Sequence, residues 1–170
     1  LGGGSCKKQL EIDAPGFVST DSAIRTESDL VKLINSGYFA LADNNYYGGA
    51  YQIYSDLLAD HIYGVTLGGD YQGAYNRNAN IFNTGVSDLY AQINKPIFQG
   101  NLVLDHIDLA SAASKDALTG AAKFLRGLAF FDLVRLYAQP YSTATANTQL
   151  GIPLRLTSER NKVVRKTVGE

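Results

Sequence analysis

The sequence predicts an all-α fold of stacked helical hairpins joined by long loops. Three observations carry this. Apolar residues recur at helical spacing in four separate windows, glycine and proline punctuate the boundaries between them, and one window, Gly120 to Tyr141, is apolar almost all the way round between Phe124 and Tyr137. A surface helix has one apolar face, so a helix of that composition belongs to the core.

The first helix is expected from Glu27 to Leu41. Thr26 and Asp29 form a capping-box start, and Leu30, Val31, Ile34, Tyr38 and Leu41 fall on one side. A second runs from Ala50 to Ile62 after the Gly48-Gly49 break, with Tyr51, Tyr54, Leu57, Leu58 and Ile62 as its stripe. Tyr63 to Thr84 is a different material, with four glycines and four asparagines in 22 residues and no helical stripe. A structureless run of that length is a functional-loop candidate. A third helix is expected from Ser87 to Ile107, with Leu89, Ile93, Ile97 and Leu104 inward and Pro96 kinking or breaking it. The fourth spans Lys115 to Tyr137 and stops before Pro140.

Gly151-Ile152-Pro153-Leu154 reads as a short extended piece followed by a basic loop, and Thr167 to Glu170 resembles the cap of a further helix. Four such helices suit stacked hairpins of the tetratricopeptide kind. That family's own signature, repeating at about 34 residues, is absent.

The chain has 170 residues, enough for one domain, with 45% apolar residues, eleven Tyr against seven Phe, and no Met or Trp. Tyrosine joins an apolar ring to a polar hydroxyl, which suits sugar and peptide recognition as well as core edges. A net charge of −1 gives no global field toward nucleic acid. Arg155, Arg160, Lys162, Arg165 and Lys166 cluster near the end of the chain. They lack the interleaved aromatic residues and the glycine cradle of a phosphate site, so they read as a solvated loop. No window of about 18 uncharged apolar residues spans a membrane as a helix.

Catalytic patterns are missing. Asp60-His61 and Asp105-His106 are adjacent pairs, and on a helix neighbouring side chains point about 100° apart. The two histidines are too far apart in sequence for a helical metal pair. Asp56 and Asp60 stand one turn apart, a spacing open to acid–base work but also to backbone or arginine contacts. Nucleophile elbow, phosphate loop and dinucleotide fingerprint are all absent, so no enzymatic activity, cofactor or metal is expected.

Cys6 is the single cysteine, which excludes an internal disulfide. Its setting, LGGGSCKKQLEIDAP, places small residues before the thiol and a polar stretch after it, as at a bacterial lipoprotein cleavage site. Gly3 stands where the lipobox prefers leucine, and an engineered GGGS linker with a passenger thiol reads equally well.

GAAKFLRGLAFFDLVRLYAQPY is similar to the most characteristic helix of the SusD-like (RagB/SusD) family of outer-membrane nutrient-binding lipoproteins, whose pattern is roughly G-E-A-x-F-L-R-A-x-x-Y-F-x-L-x-R-x-Y/F-G-x-x-P. Gly120, Ala122, Phe124, Leu125, Arg126, Phe131, Leu133, Arg135 and Tyr137 fit it, while Ala121, Phe130 and Ala138 depart from it. CKKQLEIDAP, SDLVKLINSGYFAL, LLAD, IFQGNLVLDHI with Asn101, GIPL and RKTVGE resemble further family segments in the same order.

The resemblance implies a lipobox-like start and extended tether over residues 1–22. Residues 23–170 would be the N-terminal helical portion of a longer tetratricopeptide-like domain, truncated before its next helix pair. It implies lipidation of Cys6, localisation at the outer-membrane surface, and a SusC-like TonB-dependent transporter as partner. The ligand would be an oligosaccharide or peptide. The Tyr63–Thr84 segment offers the side chains for it: Asp70, Tyr71, Tyr75, Asn76, Arg77 and Asn78 combine stacking faces with bidentate donors and acceptors. The competing reading is a helical scaffold that only binds the barrel. Within the fourth helix, Gly120 and Gly127 are expected to admit close neighbours, and Arg126, Asp132 and Arg135 to satisfy helix ends or one another.

Overall fold

The computed structural model describes residues 23–63, 66–80, 82–159 and 161–170. Cys6 and the tether through residue 22 lie outside the described residues, as does Arg160. Five helices are placed among them: α1 Glu27–Leu41, α2 Ala50–Leu58, α3 Gly69–Tyr75, α4 Thr84–Asp105 and α5 Lys115–Tyr137. A small antiparallel sheet of β1 (Leu150–Pro153) and β2 (Arg165–Thr167) follows, pairing Leu150 with Thr167 and Pro153 with Arg165.

α1 and α5 have the bounds their patterns predict. The Thr26 hydroxyl accepts the Asp29 amide while the Asp29 carboxylate accepts the Thr26 amide, closing the capping box at the start of α1. Such a cap contributes about 1 kcal/mol. α5 ends at Tyr137, and Ala138 after it is extended ahead of Pro140.

Several expectations need correction. α2 stops at Leu58, because Asp60 adopts a left-handed backbone (φ 58°), so Leu58 and Ile62 are exposed rather than inward. The Tyr63–Thr84 segment is not structureless, since α3 forms within it. α4 begins three residues earlier than predicted, at Thr84, because Asn83 caps it by accepting the Val86 amide at 3.0 Å. It then continues through Pro96. The proline removes one helical bond, but α4 packs between α1 and α5 and Pro96 is buried there, so tertiary contact holds the helix across it. The basic stretch, finally, is not all loop: Arg165–Thr167 forms β2, and Arg165 donates to the Leu150 and Gly151 carbonyls.

Two apolar clusters share α4 and α5. One gathers Leu30 and Ile34 of α1 with Val103, Leu118 and Leu125. The other gathers Tyr51, Tyr54 and Leu57 of α2 with Leu89, Ile93, Ile97 and Leu133, and Ile152 of β1 closes it. In α1 the buried side is Leu30, Ile34, Gly37 and Ala40, so Val31 and Tyr38 are outside it, contrary to the predicted stripe.

α5 is wrapped on one side only. Leu118, Ala122, Leu125, Ala129 and Leu133 are buried, whereas Phe124 and Phe131 are 53% and 57% exposed. Among the described residues, nothing lies within 4 Å of a notional Cβ on Gly120 or Gly127, so they admit no neighbour here. The charged residues of α5 find partners elsewhere than expected. Asp132 is held by tyrosine hydroxyls, Arg126 donates to the Asn101 side chain and the Leu156 carbonyl, and Arg135 reaches the Tyr51 hydroxyl and lies 5.2 Å over the Phe131 ring.

Candidate functional site

The six candidate residues, Asp70 to Asn78, sit on α3 and the turn that follows it. Gly68 leads into α3 in an extended backbone, and Asp70 then does two things. Its Oδ2 accepts the Thr84 hydroxyl and the Gly85 amide, both at 2.8 Å, and its carbonyl accepts the Asn83 side chain. A carboxylate on the first amides of α4 complements that helix end, so Asp70 ties α3 to α4.

Tyr71 leans on Tyr54 of α2 with ring centroids 5.3 Å apart, and Tyr75 meets Tyr63 edge-on at 6.5 Å. The Asn76 side chain accepts from Gln72 at 3.2 Å. Arg77 occupies a left-handed backbone (φ 54°), and its guanidinium donates to the Asp60 carboxylate at 2.6 Å and to the Leu58 and Tyr75 carbonyls at 3.1 Å. Its charge is strengthened chiefly by the Asp60 hydrogen bond. Asn78 is exposed, its amide bonded to the Gly73 carbonyl. Asp60 is thereby engaged by Arg77, and Asp56 lies 3.3 Å from His61, so the two carboxylates have separate partners.

A hollow of about 320 Å³ opens between α2, α3, α4 and α5. Arg77 and Ala79 stand on it together with Leu58, Val86, Leu136 and Tyr137. Of the six candidates only Arg77 lines it; Asp70, Tyr71, Tyr75, Asn76 and Asn78 do not. The Tyr54 hydroxyl, on another wall residue, is buried without a partner among the described residues, and burial followed by the nearby Asp70 charge pushes its pKa up to about 12.

The neighbourhood also presents two rings that the sequence reading left out of the site. Tyr63 is 81% exposed and Phe82 85% exposed, at the two edges of the segment. An aromatic residue flanking a glycine- and asparagine-rich run was the available signal. Tyr63 opens that run, and Phe82 stands immediately before the Asn83 cap.

Among the described residues, no group of three or more His, Cys, Asp or Glu side chains is arranged to hold a metal ion. No described helix is long and apolar enough to cross a membrane.

Comparison with known proteins gives a concordant result. Residues 18–170 match the model of a SusD-like family described as starch-binding and associating with the outer membrane. A SusD-like protein of Formosa agariphila is 27% identical over 154 residues, which cover 82% of this chain and 29% of that protein. The crystal structure of a SusD superfamily protein from Bacteroides thetaiotaomicron superimposes with a TM-score of 0.71 at 25% identity, over 85% of this chain and 34% of the other. The chain thus spans about a third of the length of the relatives it matches.

Proposed function

Since the chain belongs to the SusD-like family, we propose that residues 23–170 are the N-terminal portion of a surface-exposed binding component of an outer-membrane nutrient-uptake complex. In this reading Cys6 carries the lipid anchor, and the protein captures glycans, or peptides, for import by a SusC-like TonB-dependent barrel. Two or more acyl chains on one cysteine give a stable attachment, at about 0.8 kcal/mol per buried CH₂. No catalytic step, metal or cofactor enters the proposal.

The observation that carries it is the family match over nearly the whole chain, which includes the α5 segment. The α3 region supports a ligand role in its chemistry. Tyr75 with its neighbour Tyr63 offers a ring pair for stacking, while Asn76, Arg77 and Asn78 offer amide and guanidinium groups to hydroxyls or carbonyls. Asp70 and Tyr71 serve the same site by holding α3 against α4 and α2.

The test is binding of malto-oligosaccharides, other soluble glycans and peptides to the natural full-length protein on an array, followed by titration of the hits. Tyr75→Ala and Arg77→Ala should weaken the binding of any hit. A protein silent to every class would defeat the capture role. Fatty-acid labelling of cells, compared with Cys6→Ala, tests the anchor separately.

A second reading has one observation in its favour: Asp70 and Arg77 spend their polar atoms inside the fold. A scaffold that only binds the barrel would use them in this way. Tyr71→Ala would then weaken assembly with the transporter and leave ligand affinity unchanged.

A further inference from the structure

Arg77 is the only lysine or arginine between Lys32 and Lys95, and the same stretch holds five aspartates, Asp43, Asp56, Asp60, Asp70 and Asp88. The candidate site is therefore poor in positive charge apart from one guanidinium. That guanidinium is already engaged. Its Nη2 donates to the Asp60 carboxylate at 2.6 Å and to the Leu58 carbonyl at 3.1 Å, and its Nη1 to the Tyr75 carbonyl at 3.1 Å. The backbone prepares the pairing. Asp60 and Arg77 stand just past the ends of α2 and α3, each in a left-handed conformation, φ 58° and 54°.

Both side chains stay open to solvent, 71% for Asp60 and 48% for Arg77. An ion pair this exposed adds little to stability. Its consequence lies in what can dock. A ligand carboxylate or sulfate has to displace Asp60 from Arg77 or sit beside the Asp60 charge, and either is unfavourable. An uncharged sugar meets no such penalty. Its hydroxyls can donate to the Asp60 carboxylate and accept from the exposed Asn76 and Asn78 amides. Tyr63, three residues past Asp60 and edge-on to Tyr75, offers an exposed ring for stacking.

We infer that Asp60 is a specificity-determining residue: by holding Arg77 it makes the site accept neutral oligosaccharides and reject those bearing uronate or sulfate. This rests on the reading of the Tyr63–Thr84 region as a glycan-contacting surface. It adds the charge class of the glycan and the residue that sets it.

The experiment uses the natural full-length protein and three pairs of soluble probes: malto-, cello- and galacto-oligosaccharides, each with its counterpart oxidised to the uronate at C6. Titration calorimetry at low and at physiological salt gives the affinities. The parent protein should bind a neutral probe about tenfold more tightly than its uronate. Asp60→Asn keeps the left-handed turn, which asparagine tolerates, and frees the guanidinium. It should raise uronate affinity about tenfold, with the gain shrinking as salt is added. Adding Arg77→Gln should abolish that gain, whereas a merely structural role for Asp60 would change both members of a pair alike. A parent protein that binds a uronate as tightly as its neutral partner overturns the inference and leaves the glycan reading standing. So does an Asp60→Asn variant with no uronate gain. Silence toward all six probes overturns the inference together with the glycan reading on which it rests.

Discussion

Tyr46 donates its hydroxyl to Oδ2 of Asp132 at 2.5 Å, joining residues 86 apart in sequence where both are almost fully buried. Tyr47 donates to the same oxygen and Tyr51 to Oδ1, each at 2.7 Å. The turn after α1 and the first turn of α2 are bound to α5 through this one carboxylate. A charge removed from water is tolerable only with such compensation, and Arg135, 3.3 Å from the Tyr51 hydroxyl, adds a positive group at the edge.

Asp132→Ala should therefore cost far more than its loss of volume suggests. It leaves the Tyr46, Tyr47 and Tyr51 hydroxyls without their acceptor, and the expected destabilisation is about 2–4 kcal/mol by urea unfolding. Tyr47→Phe, which removes one donor from a less buried position, should cost about 1 kcal/mol. Equal midpoints for the two variants would refute the network.

The same tyrosines predict an alkaline limit. Burial first, and then the hydrogen bond to Asp132, raises Tyr46, Tyr47 and Tyr51 above the ordinary 10.0, Tyr51 to about 12. Folded-state values above the unfolded ones mean that this stability is fully present below pH 10 and is lost as pH rises toward 12. A pH titration followed by tyrosinate absorbance and circular dichroism should show ionisation coinciding with unfolding. Free titration of all the tyrosines near pH 10 with the fold intact would contradict it.

Gly100 marks the close crossing of α4 and α5. A Cβ there would sit 2.8 Å from the Ala122 carbonyl oxygen, a backbone atom that cannot turn aside. Gly100→Ala should thus destabilise by about 1–3 kcal/mol, despite the usual gain from alanine in a helix. A rise in melting temperature would show that the crossing is looser than described.

Asn101 holds the segment after β1. Its side-chain amide donates to the Arg155 and Thr157 carbonyls at 2.9 and 3.0 Å, and its oxygen accepts Arg126 at 3.1 Å. Asn101→Ala strands all three groups, so the expected loss is about 2–3 kcal/mol. Limited proteolysis should show early cleavage between residues 154 and 158, and a cleavage pattern like that of the parent protein would count against the clamp.

The local signals were sound wherever one residue's chemistry decides the matter. Thr26 and Asp29 announce α1, and Pro140 limits α5, because caps and prolines act within a turn of themselves. The Asn83 cap is the same kind of signal and marks the true start of α4. The α3 helix gave no comparable sign. Seven residues containing two glycines form no stable helix alone, and it is Asp70 on the start of α4 and Tyr71 on Tyr54 that hold it. The candidate site was legible as a composition, tyrosine and asparagine around one arginine, but its division into anchored and exposed groups was not.

By itself the sequence determined four of the five described helices, most of their ends and the kinship carried by the α5 segment, since these depend on residues within a few positions of one another. Tertiary structure alone decided that Asp132 serves three tyrosines, that Pro96 leaves α4 unbroken, that Arg165–Thr167 becomes a strand, and that Phe124 and Phe131 face outward. Each of those outcomes depends on which groups meet across long stretches of chain, and the spacing of residues along one helix holds no record of its neighbours.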